Sequence, residues 1–250
     1  MKWINYILSF IWRSWFFIMF LIFFIISIPP LFLFTAIIKN NKLVCYIMKY
    51  WSRFTLIFSG VFCKISYEES LDPNKIYLFC SNHVSSLDIA VITSTIPFPI
   101  VYMGKSELCK LPIFGYFYKH NSIIVDRNNL KNSYQAFVKA GEKLDNGLNV
   151  CIFPEGGIPH PSVLLRKFKN GVFRLAKEKE INIVPITLLD NKRHFPSEYY
   201  KGMPGFVRIK VHKPIKANNY EETSSEKLKD MIYQIIYSEL NNDRKNKSHN

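Results

Sequence analysis

The sequence is poor in acidic side chains and in glycine. Of its 250 residues, 19 are aspartate or glutamate against 33 lysine or arginine, which leaves a formal net charge of +14. An enzyme of small neutral substrates has no need of such an excess, so the charge favours an anionic partner: phosphate, nucleic acid or a membrane surface. Only 10 glycines are present and 48% of the residues are hydrophobic, which excludes a disordered or fibrous chain.

The five cysteines show no recognisable metal-binding or disulfide pattern. They include no C-x-x-C pair, and no histidine lies at a zinc-like spacing from them. Their odd number argues against a disulfide framework. We therefore expect buried, small apolar side chains in a reducing compartment, and no metal site.

Residues 1–66 lack acidic side chains altogether, although they carry seven basic ones. Within them, residues 15–38 are apolar and uncharged, and as a helix they would measure about 36 Å, enough to cross a hydrocarbon core of about 30 Å. Pro29-Pro30 interrupts this run and leaves three interpretations open: a kink, a helical hairpin, or insertion into one leaflet. The run is too long for a signal peptide, and no small-x-small cleavage site follows it.

Residues 43–62 mix aromatic and apolar residues with two cations and predict an amphipathic helix. It lies either at a membrane interface, where Trp and Tyr sit at headgroup level, or against the rest of the protein. We assign residues 1–62 to membrane attachment and residues 63–250 to a catalytic domain. The basic flanks favour the cytoplasmic side, and we expect the cytoplasmic face of a bacterial inner membrane.

After residue 63, short apolar runs alternate with helical patterns. Strands are predicted at 76–80, 100–104, 122–126, 149–153, 182–189 and 206–211. Helices are predicted at 87–96, 106–119, 130–145, 168–180 and 221–241, followed by a polar tail that we expect to be frayed. This alternation predicts an α/β fold with βαβ units and a mostly parallel mixed sheet flanked by helices.

The stretch S-N-H-V-S-S-L-D (81–88) places one imidazole and one carboxylate between a predicted strand and a predicted helix. His83 and Asp88 would lie about 140° apart around a helix, so they can meet only if the chain turns between them. Ser85 and Asp88 match the S-x-x-[DE] capping signal, which predicts that the helix begins near Ser85 and leaves His83 in the loop.

A carboxylate that holds an imidazole makes a general base, because it fixes the tautomer and stabilises the imidazolium. Alternatively, Asp88 only caps its helix and His83 makes an ordinary loop hydrogen bond. No G-x-S-x-G nucleophile elbow is present, so such a base would have to activate a hydroxyl of the substrate.

A second stretch, F-P-E-G-G (153–157), follows a predicted strand directly. Pro154 ends the strand, Glu155 lies at its carboxyl end, and the paired glycines let the backbone approach a ligand. A plain turn is the alternative, although a plain turn would not need a carboxylate at that point.

Together, Asn82-His83-x4-Asp88 and Phe153-Pro154-Glu155-Gly156 resemble the 1-acylglycerol-3-phosphate acyltransferases, the lysophosphatidic acid acyltransferase family. Blocks at 104–127 and 183–188 are also similar to that family. The resemblance implies a glycerolipid acyltransferase-like fold and transfer of a fatty acyl chain to the sn-2 hydroxyl of lysophosphatidic acid, which makes phosphatidic acid. The donor would be acyl-CoA or acyl carrier protein, and no cofactor, metal or acyl-enzyme would be needed.

The resemblance also implies individual roles. His83 becomes the base and Asp88 its orienting partner, and we expect backbone N–H groups near the helix start to hold the oxyanion. Lys105 and Arg127 become candidates for the acceptor's phosphate, with a solvated charged face as the alternative. Glu155 and Gly156 belong to the wall where the glycerol backbone binds.

One departure from the family concerns the phosphate. The family commonly continues F-P-E-G with Thr-Arg and assigns that arginine to phosphate, whereas this chain has Gly157-Ile158. Lys169-x-Gly171 resembles the family's Lys-Gly block, so Lys169 is the leading substitute.

Two alternatives to this function stay open. The chain is either a catalytically silent, membrane-bound module that holds anionic lipid, or an acyltransferase of the same chemistry with a different lipid acceptor. Nucleic-acid binding ranks lowest, because the basic residues are dispersed and the N-terminus is apolar. The expected partners are a phospholipid bilayer, lysophosphatidic acid, and acyl carrier protein or a coenzyme A thioester, with no nucleic acid.

Overall fold

A computed structural model describes residues 2–125, 130–220 and 222–248. The strands are β1 Val61–Tyr67, β2 Tyr77–Ser81, β3 Ile100–Lys105, β4 Ile123–Val125, β5 Asn149–Ile152, β6 Asn182–Leu188 and β7 Gly205–Val211. The α-helices are α1 Lys2–Phe32, α2 Asn41–Phe58, α3 Leu87–Thr95, α4 Phe114–Asn121, α5 Leu130–Asp145, α6 Gly171–Glu178, α7 Asn191–His194 and α8 Ser225–Ser248.

The strands form a sheet in the order β1-β7-β6-β2-β5-β3-β4. Four pairs are parallel: β2 with β5, β2 with β6, β3 with β4, and β3 with β5. β6 and β7 run antiparallel, because Leu189 N–H donates to Arg208 O and His212 N–H donates to Pro185 O. The mostly parallel mixed sheet expected from the sequence is therefore confirmed.

The central strands are buried along their whole length. All residues of β2 and β5 are buried, as are all residues of β6 after Asn182. Helices cover both faces of a parallel sheet, which is why these strands are continuous apolar runs rather than alternating ones. The same continuity made them recognisable in the sequence.

Contacts within the chain define two compact units. One contains the chain up to Ser66, together with Val84–Pro99 and Leu188–Ile209. The other contains Tyr67–His83, Ile100–Thr187 and the chain from Lys210 onward. The N-terminal helices thus share a unit with later parts of the chain, and the domain boundary between residues 62 and 63 stays a prediction.

Helix α1 does not reverse direction at Pro29 and Pro30 but runs through them and continues as a π-helix, Leu33–Ile37. The two prolines lack N–H donors, and the wider turns that follow absorb the distortion, with Ile38 N–H donating to Leu33 O over 2.9 Å. A hairpin at the prolines is therefore wrong. The chain turns instead just before α2, where Asn40 Oδ1 caps the helix.

Helices α1 and α2 pack side by side through aromatic residues. Trp51 Nε1 donates to Phe20 O, and Trp15 Nε1 donates to Phe58 O, which shows that the two helices run antiparallel. α2 buries Trp51 on one side and exposes Phe58 on another, so it has both a packed and an exposed apolar surface.

Within the described chain, the helical stretch Trp3–Ile37 is long and apolar enough to cross a membrane, judged by length and composition, with a mean hydropathy of 2.7 in its most apolar stretch. Large apolar side chains such as Trp3, Ile25 and Ile26 are exposed along it. This exposure suggests membrane association, because a soluble protein seldom presents so continuous an apolar surface.

Several elements differ from the sequence-based expectation, among them the short helix α7, which was not predicted. Strand β1 was not foreseen, since its first residues were taken into the preceding helix. Helix α4 begins only at Phe114, because Pro112 separates it from a 3₁₀ turn at Ser106–Lys110. The expected frayed tail is wrong as far as Ser248, since α8 continues and Lys247 pairs with Asp243 at 2.8 Å one turn away.

Candidate active site

The predicted site residues follow the carboxyl ends of three adjacent parallel strands. His83 lies two residues beyond β2, Glu155 lies three residues beyond β5, and Lys105 is the last residue of β3. Because β2, β5 and β3 are neighbours and parallel, their carboxyl ends share one edge of the sheet. This edge is where open α/β sheets bind ligands.

Glu155 connects the F-P-E-G motif with the motif that contains His83 and Asp88. Its carboxylate is buried, with 1% of the residue exposed. Oε1 accepts a hydrogen bond from His83 N–H at 2.7 Å, and Oε2 accepts one from Arg166 N–H at 2.8 Å. Glu155 therefore fixes the backbone at His83 and at the segment before α6. Its contribution to a glycerol-binding wall stays a prediction.

The imidazole of His83 is half-buried and packs flat on Phe153. The two ring centroids are 4.2 Å apart and the planes differ by 19°. The end of β5 thus supports His83 twice, through Glu155 at its backbone and through Phe153 at its ring. A general base needs this combination of a fixed position and remaining access to substrate.

Asp88 is completely buried and caps the turn that begins α3. Its Oδ2 accepts hydrogen bonds from Val84 N–H at 2.6 Å and Ser85 N–H at 2.9 Å, while Ser85 Oγ accepts one from Leu87 N–H at 3.1 Å. Asp88 therefore caps the backbone before α3 as expected, although the full capping box is not formed: Asp88 N–H donates to Ser85 O and not to Ser85 Oγ, and the N-cap residue Ser86 makes no side-chain cap. The role of Asp88 toward His83 stays a prediction.

These hydrogen bonds limit which backbone N–H groups can stabilise the oxyanion of the tetrahedral intermediate. The N–H groups of His83, Val84, Ser85 and Leu87 all donate to side chains of the site. These four N–H groups are thus already engaged, and the expectation that backbone N–H groups near the helix start hold the oxyanion stays a prediction.

Lys169 lies over Gly156. A Cβ added to Gly156 would lie 2.8 Å from Lys169 Cε and 3.0 Å from Nζ, and the φ of Gly156 is +75°, so a side chain there would displace the lysine. Lys169 N–H donates to Pro154 O at 2.9 Å, which fixes its backbone to the F-P-E-G turn. The structure thus brings together two residues that the sequence analysis proposed separately.

An apolar cavity of about 310 Å³ adjoins Lys169 and Gly156. Its walls combine the ends of strands with helix α5 and the start of α6: Met103, Val125, Phe137, Ile152, Phe153, Pro154, Gly171 and Val172. A cation beside an apolar cavity matches a ligand that has an anionic group and a hydrocarbon part.

Lys169 itself is exposed, and the other two predicted phosphate ligands are less well defined. Lys105 is exposed, and its backbone is in register with Val125 at the end of β4. Arg127 lies outside the described residues. Ile158, which stands where the family commonly has arginine, is exposed.

Sequence reasoning missed Asn191, whose Nδ2 donates to Asp88 Oδ1 at 2.8 Å. Asn191 belongs to the short helix α7, directly after β6, and it is fully buried. A signal was present, since Asp190-Asn191 is a polar pair at the carboxyl end of a buried strand. Its partner lies 103 residues away, which local patterns do not reveal.

The row of residues Thr187, His212 and Glu68, of which Thr187 and His212 are buried and Glu68 is exposed, resembles a nucleophile, a base and an acid. His212 Nε2 is 2.8 Å from Thr187 Oγ1, and its Nδ1 is 3.0 Å from Glu68 Oε1. However, Thr187 is fully buried and His212 is 3% exposed, so a substrate cannot reach them. We interpret this row as structural. Burial lowers the pKa of His212, in spite of the opposing charge of Glu68.

This row predicts how stability depends on pH. Burial opposes ionisation of Glu68, but hydrogen bonds from Lys213 N–H, Lys210 and His212 outweigh it and hold its pKa at about 2, below the ordinary 4.5. A lowered carboxyl pKa contributes stability that is fully present above pH 4.5 and is lost as the pH falls toward 2. We expect Glu68→Gln to flatten this acid part of the profile in urea unfolding of the protein in detergent micelles.

The control for that measurement is Glu69→Gln. Glu69 forms an exposed ion pair with Lys213 Nζ at 3.2 Å, and such pairs contribute about 0–1 kcal/mol. An unchanged acid profile in Glu68→Gln, or an equal change in both variants, would contradict the assignment to Glu68.

Two of the five cysteines are held in the unreactive thiol form. Cys45, Cys80 and Cys151 are buried, as expected from the sequence, whereas Cys63 and Cys109 are only half-buried, so for these two the expectation is wrong. Burial raises the pKa of Cys63 to about 11 and that of Cys80 well above its ordinary value. A thiolate is the nucleophilic form, so these two are inert at neutral pH. Within the described ranges, no cluster of three or more His, Cys, Asp or Glu side chains could hold a metal ion.

Fold and geometry together define an α/β protein whose candidate site lies at the carboxyl edge of the sheet. The chain belongs to the acyltransferase family, whose profile matches residues 63–189, just over half of the chain. The matched region begins within β1 and includes both the His83 loop and the F-P-E-G turn.

Relatives with known names agree on one activity. The chain is 28% identical to "1-acyl-sn-glycerol-3-phosphate acyltransferase" of Cocos nucifera over 178 residues, 70% of this chain and 58% of that protein. It is 29% identical to the protein of that name from Helicobacter pylori over 170 residues, 66% of this chain and 71% of the relative. The Saccharomyces cerevisiae protein of that name is 27% identical over 195 residues, 74% of this chain and 64% of the relative. The match thus spans less than two thirds of the coconut and yeast proteins.

A solved structure has a similar fold. It is the crystal structure of the 1-acyl-sn-glycerophosphate (LPA) acyltransferase PlsC from Thermotoga maritima, with a TM-score of 0.78 over 97% of each chain. At 19% identity, this likeness concerns the fold and includes the N-terminal region, since nearly the whole chain is covered.

Proposed function

We propose that this protein transfers a fatty acyl chain from an acyl thioester to the sn-2 hydroxyl of a 1-acylglycerol-3-phosphate and thereby makes phosphatidic acid. The observation that carries the proposal is the hydrogen bond between Glu155 of F-P-E-G and the backbone of His83. It joins two motifs 72 residues apart into one site at the carboxyl edge of the sheet. The names of the relatives supply the acceptor.

In the proposed reaction, His83 removes the proton of the acceptor hydroxyl as the oxygen attacks the thioester carbonyl. Asp88 orients the imidazole and stabilises the imidazolium that forms. The tetrahedral intermediate then expels the thiolate, whose conjugate thiol has a pKa of about 8.5, so no strong general acid is required. No metal, cofactor or acyl-enzyme takes part.

The charged and apolar parts of the substrate have separate places in this proposal. Lys169, with Lys105 and Arg127, meets the phosphate of the acceptor. Because Gly156 has no side chain, the space next to the Lys169 ammonium stays open, and a phosphate can approach that ammonium. The apolar cavity beside Lys169 receives hydrocarbon. Glu155 and Gly156 form the wall next to the glycerol.

The location follows from helix α1. We infer that α1 and α2 attach the enzyme to the cytoplasmic face of a bacterial inner membrane, where lysophosphatidic acid and its product reside. Either acyl carrier protein or coenzyme A serves as the carrier of the donor acyl chain.

The deciding experiment is acyl transfer by the purified full-length protein in phospholipid vesicles. Acyl-CoA and acyl-acyl carrier protein are each tested with lysophosphatidic acid, with lysophospholipids bearing other headgroups, and with monoacylglycerol. We expect transfer to lysophosphatidic acid to be the fastest. Equal use of monoacylglycerol would overturn the phosphate-bearing acceptor, and no transfer with any pair would favour a silent lipid-binding module.

Lys169→Ala tests the phosphate contact. A phosphomonoester carries nearly two negative charges, so removing the lysine proposed to meet them should weaken binding of the acceptor. We expect KM for lysophosphatidic acid to rise at least about tenfold, about 1.4 kcal/mol, and KM for the donor to change less. Arg127→Ala should act in the same direction.

Lys167→Ala is the matched control, because Lys167 is an exposed lysine of the same segment. It should leave both Michaelis constants near those of the unmodified enzyme. If neither Lys169→Ala nor Arg127→Ala changes the acceptor kinetics, these cations do not bind the phosphate and Gly157-Ile158 marks a different acceptor.

A further inference from the structure

The turn formed by residues 190–195, hereafter the 190–195 turn, packs against the loop that carries Asp88. Asn191 Nδ2 donates to Asp88 Oδ1 at 2.8 Å. Ser85 Oγ donates to Phe195 O at 2.5 Å, and Ser85 is also one of the residues capped by Asp88. Both ends of the turn therefore hold the segment 85–88 in place.

The 190–195 turn is itself rigidly held. Asp190 forms a bidentate ion pair with Arg208 of β7, with Nε to Oδ2 at 2.7 Å and Nη2 to Oδ1 at 2.8 Å. Phe195 N–H donates to Asn191 O at 2.8 Å and closes the turn. A bidentate pair with a half-buried arginine fixes the orientation of the Asp190 carboxylate as well as its distance from the arginine. The backbone that carries Asn191 is therefore held in place.

Helix α1 also packs against the 190–195 turn, through Arg13. The guanidinium of Arg13 lies 4.0 Å from the centre of the Phe195 ring and donates to Pro196 O and to Glu198 O. Arg13 is 3% exposed, although it sits in a helix that is otherwise largely apolar and exposed. A buried arginine that satisfies carbonyls on a distant segment fastens that segment to the helix.

The orientation of the Asn191 side-chain amide is set by its hydrogen bond to Asp88. Its Oδ1 is buried without a hydrogen-bond partner among the described residues, while its Nδ2 donates to Asp88. Leaving a buried amide oxygen unpaired costs about 1–3 kcal/mol. The opposite amide orientation would turn that oxygen toward the Asp88 carboxylate. The observed arrangement therefore keeps the donor on Asp88 at the expense of the oxygen.

We propose that Asn191 is a positioning residue for acyl transfer: its amide fixes the Asp88 carboxylate so that this carboxylate can orient His83. The proposal rests on the proposed function, since it assigns Asn191 a task only if His83 and Asp88 act together. Asn191 touches no reacting atom. Its effect should therefore appear in kcat, because the orientation of the base matters during proton removal, and not in the binding of either substrate.

Two variants separate positioning from folding. Asn191→Leu keeps the approximate volume and removes the donor to Asp88 together with the unpaired oxygen. Because the buried Asp88 Oδ1 then loses this hydrogen bond, we expect a lower unfolding midpoint, and kcat is therefore measured per folded enzyme at a temperature below the transition. Hydrogen bonds to charged groups contribute about 1.5–3 kcal/mol, so kcat should fall about 10- to 100-fold with KM values within about twofold. A purely structural role would lower the folded fraction but leave kcat per folded enzyme unchanged.

Asn191→Asp adds a pH signature. Two carboxyls in contact do not both ionise easily, so one stays protonated to higher pH than usual and donates to the other. When both ionise, repulsion moves Asp88. The ratio of variant to unmodified kcat should therefore fall as the pH rises from about 6 to about 9, whereas for Asn191→Leu the ratio should stay flat. Asn146→Asp, at an exposed asparagine on the end of α5, is the control and should show neither effect.

All kinetics are measured with the full-length enzyme in vesicles of one composition, with His83→Ala assayed in parallel. An inactive His83→Ala with near-normal Asn191→Leu and Asn191→Asp would overturn the positioning role alone. An active His83→Ala would remove the proposed function, whatever the Asn191 variants do. Failure of both Asn191 variants to fold would show that the residue serves the fold, and would likewise overturn the proposal.

Discussion

His83→Ala is expected to lower kcat for acyl transfer by about 10²- to 10⁴-fold, the usual contribution of a general base. The fold should survive, because the bond from His83 N–H to Glu155 belongs to the backbone and is kept in the variant. What is lost is the half-buried ring and its packing on Phe153. Circular dichroism, the unfolding midpoint and recovery with vesicles should all match the unmodified protein.

His120→Ala is a suitable control for this loss. His120 is an exposed histidine near the end of α4, where its Nδ1 lies 2.7 Å from Tyr116 O. Its removal tests whether turnover responds to the loss of any histidine. Turnover in His83→Ala within about threefold of the unmodified rate would be incompatible with a general base, whose removal costs far more.

Asp88→Asn is expected to reduce kcat nearly as much, by about 10²- to 10⁴-fold, because an amide can stabilise the wrong imidazole tautomer and cannot stabilise imidazolium. The cap should survive this change. The amide oxygen can replace Oδ2 and accept from Val84 N–H and Ser85 N–H. The amide NH₂ then faces Asn191, whose unpaired Oδ1 can turn to accept from it.

Asp88→Asn should therefore separate the two roles of this carboxylate. Asp72→Asn is the matched control, since Asp72 Oδ1 also caps a backbone N–H, that of Asn74, but at an exposed turn. The measurements are single-turnover rates and unfolding midpoints for both variants. Normal turnover in Asp88→Asn would leave Asp88 as a cap only.

The strands of the central sheet were readable from the sequence because each is a short apolar run bounded by polar or turn residues. Helix α5 was predicted at 130–145 and is observed there, since its apolar residues recur at helical spacing. Boundaries were less certain where one pattern passes into another. β1 follows α2 after only two residues, and its first two residues, Val61 and Phe62, were included in the predicted amphipathic helix 43–62.

For the site, the sequence indicated which residues to consider but not their contacts. Glu155 was recognised as a carboxylate at a strand end, yet its bonds to His83 and Arg166 join segments remote in the chain. Asn191 was missed for the same reason. A hydrogen bond between distant segments leaves no periodic trace in either of them.

By itself, the sequence determined the class of fold, the apolar N-terminal helix and the motifs that mark an acyltransferase. Those properties depend on local hydrophobic periodicity and on residue types at short spacing. Both can be recognised without knowledge of the tertiary structure. Only the tertiary structure decided that Glu155 holds the His83 backbone, that Lys169 lies over Gly156, and that Asn191 holds Asp88. These contacts arise when parallel strands bring their carboxyl ends to one edge, and that alignment is set by long-range strand pairing, not by neighbours in the sequence.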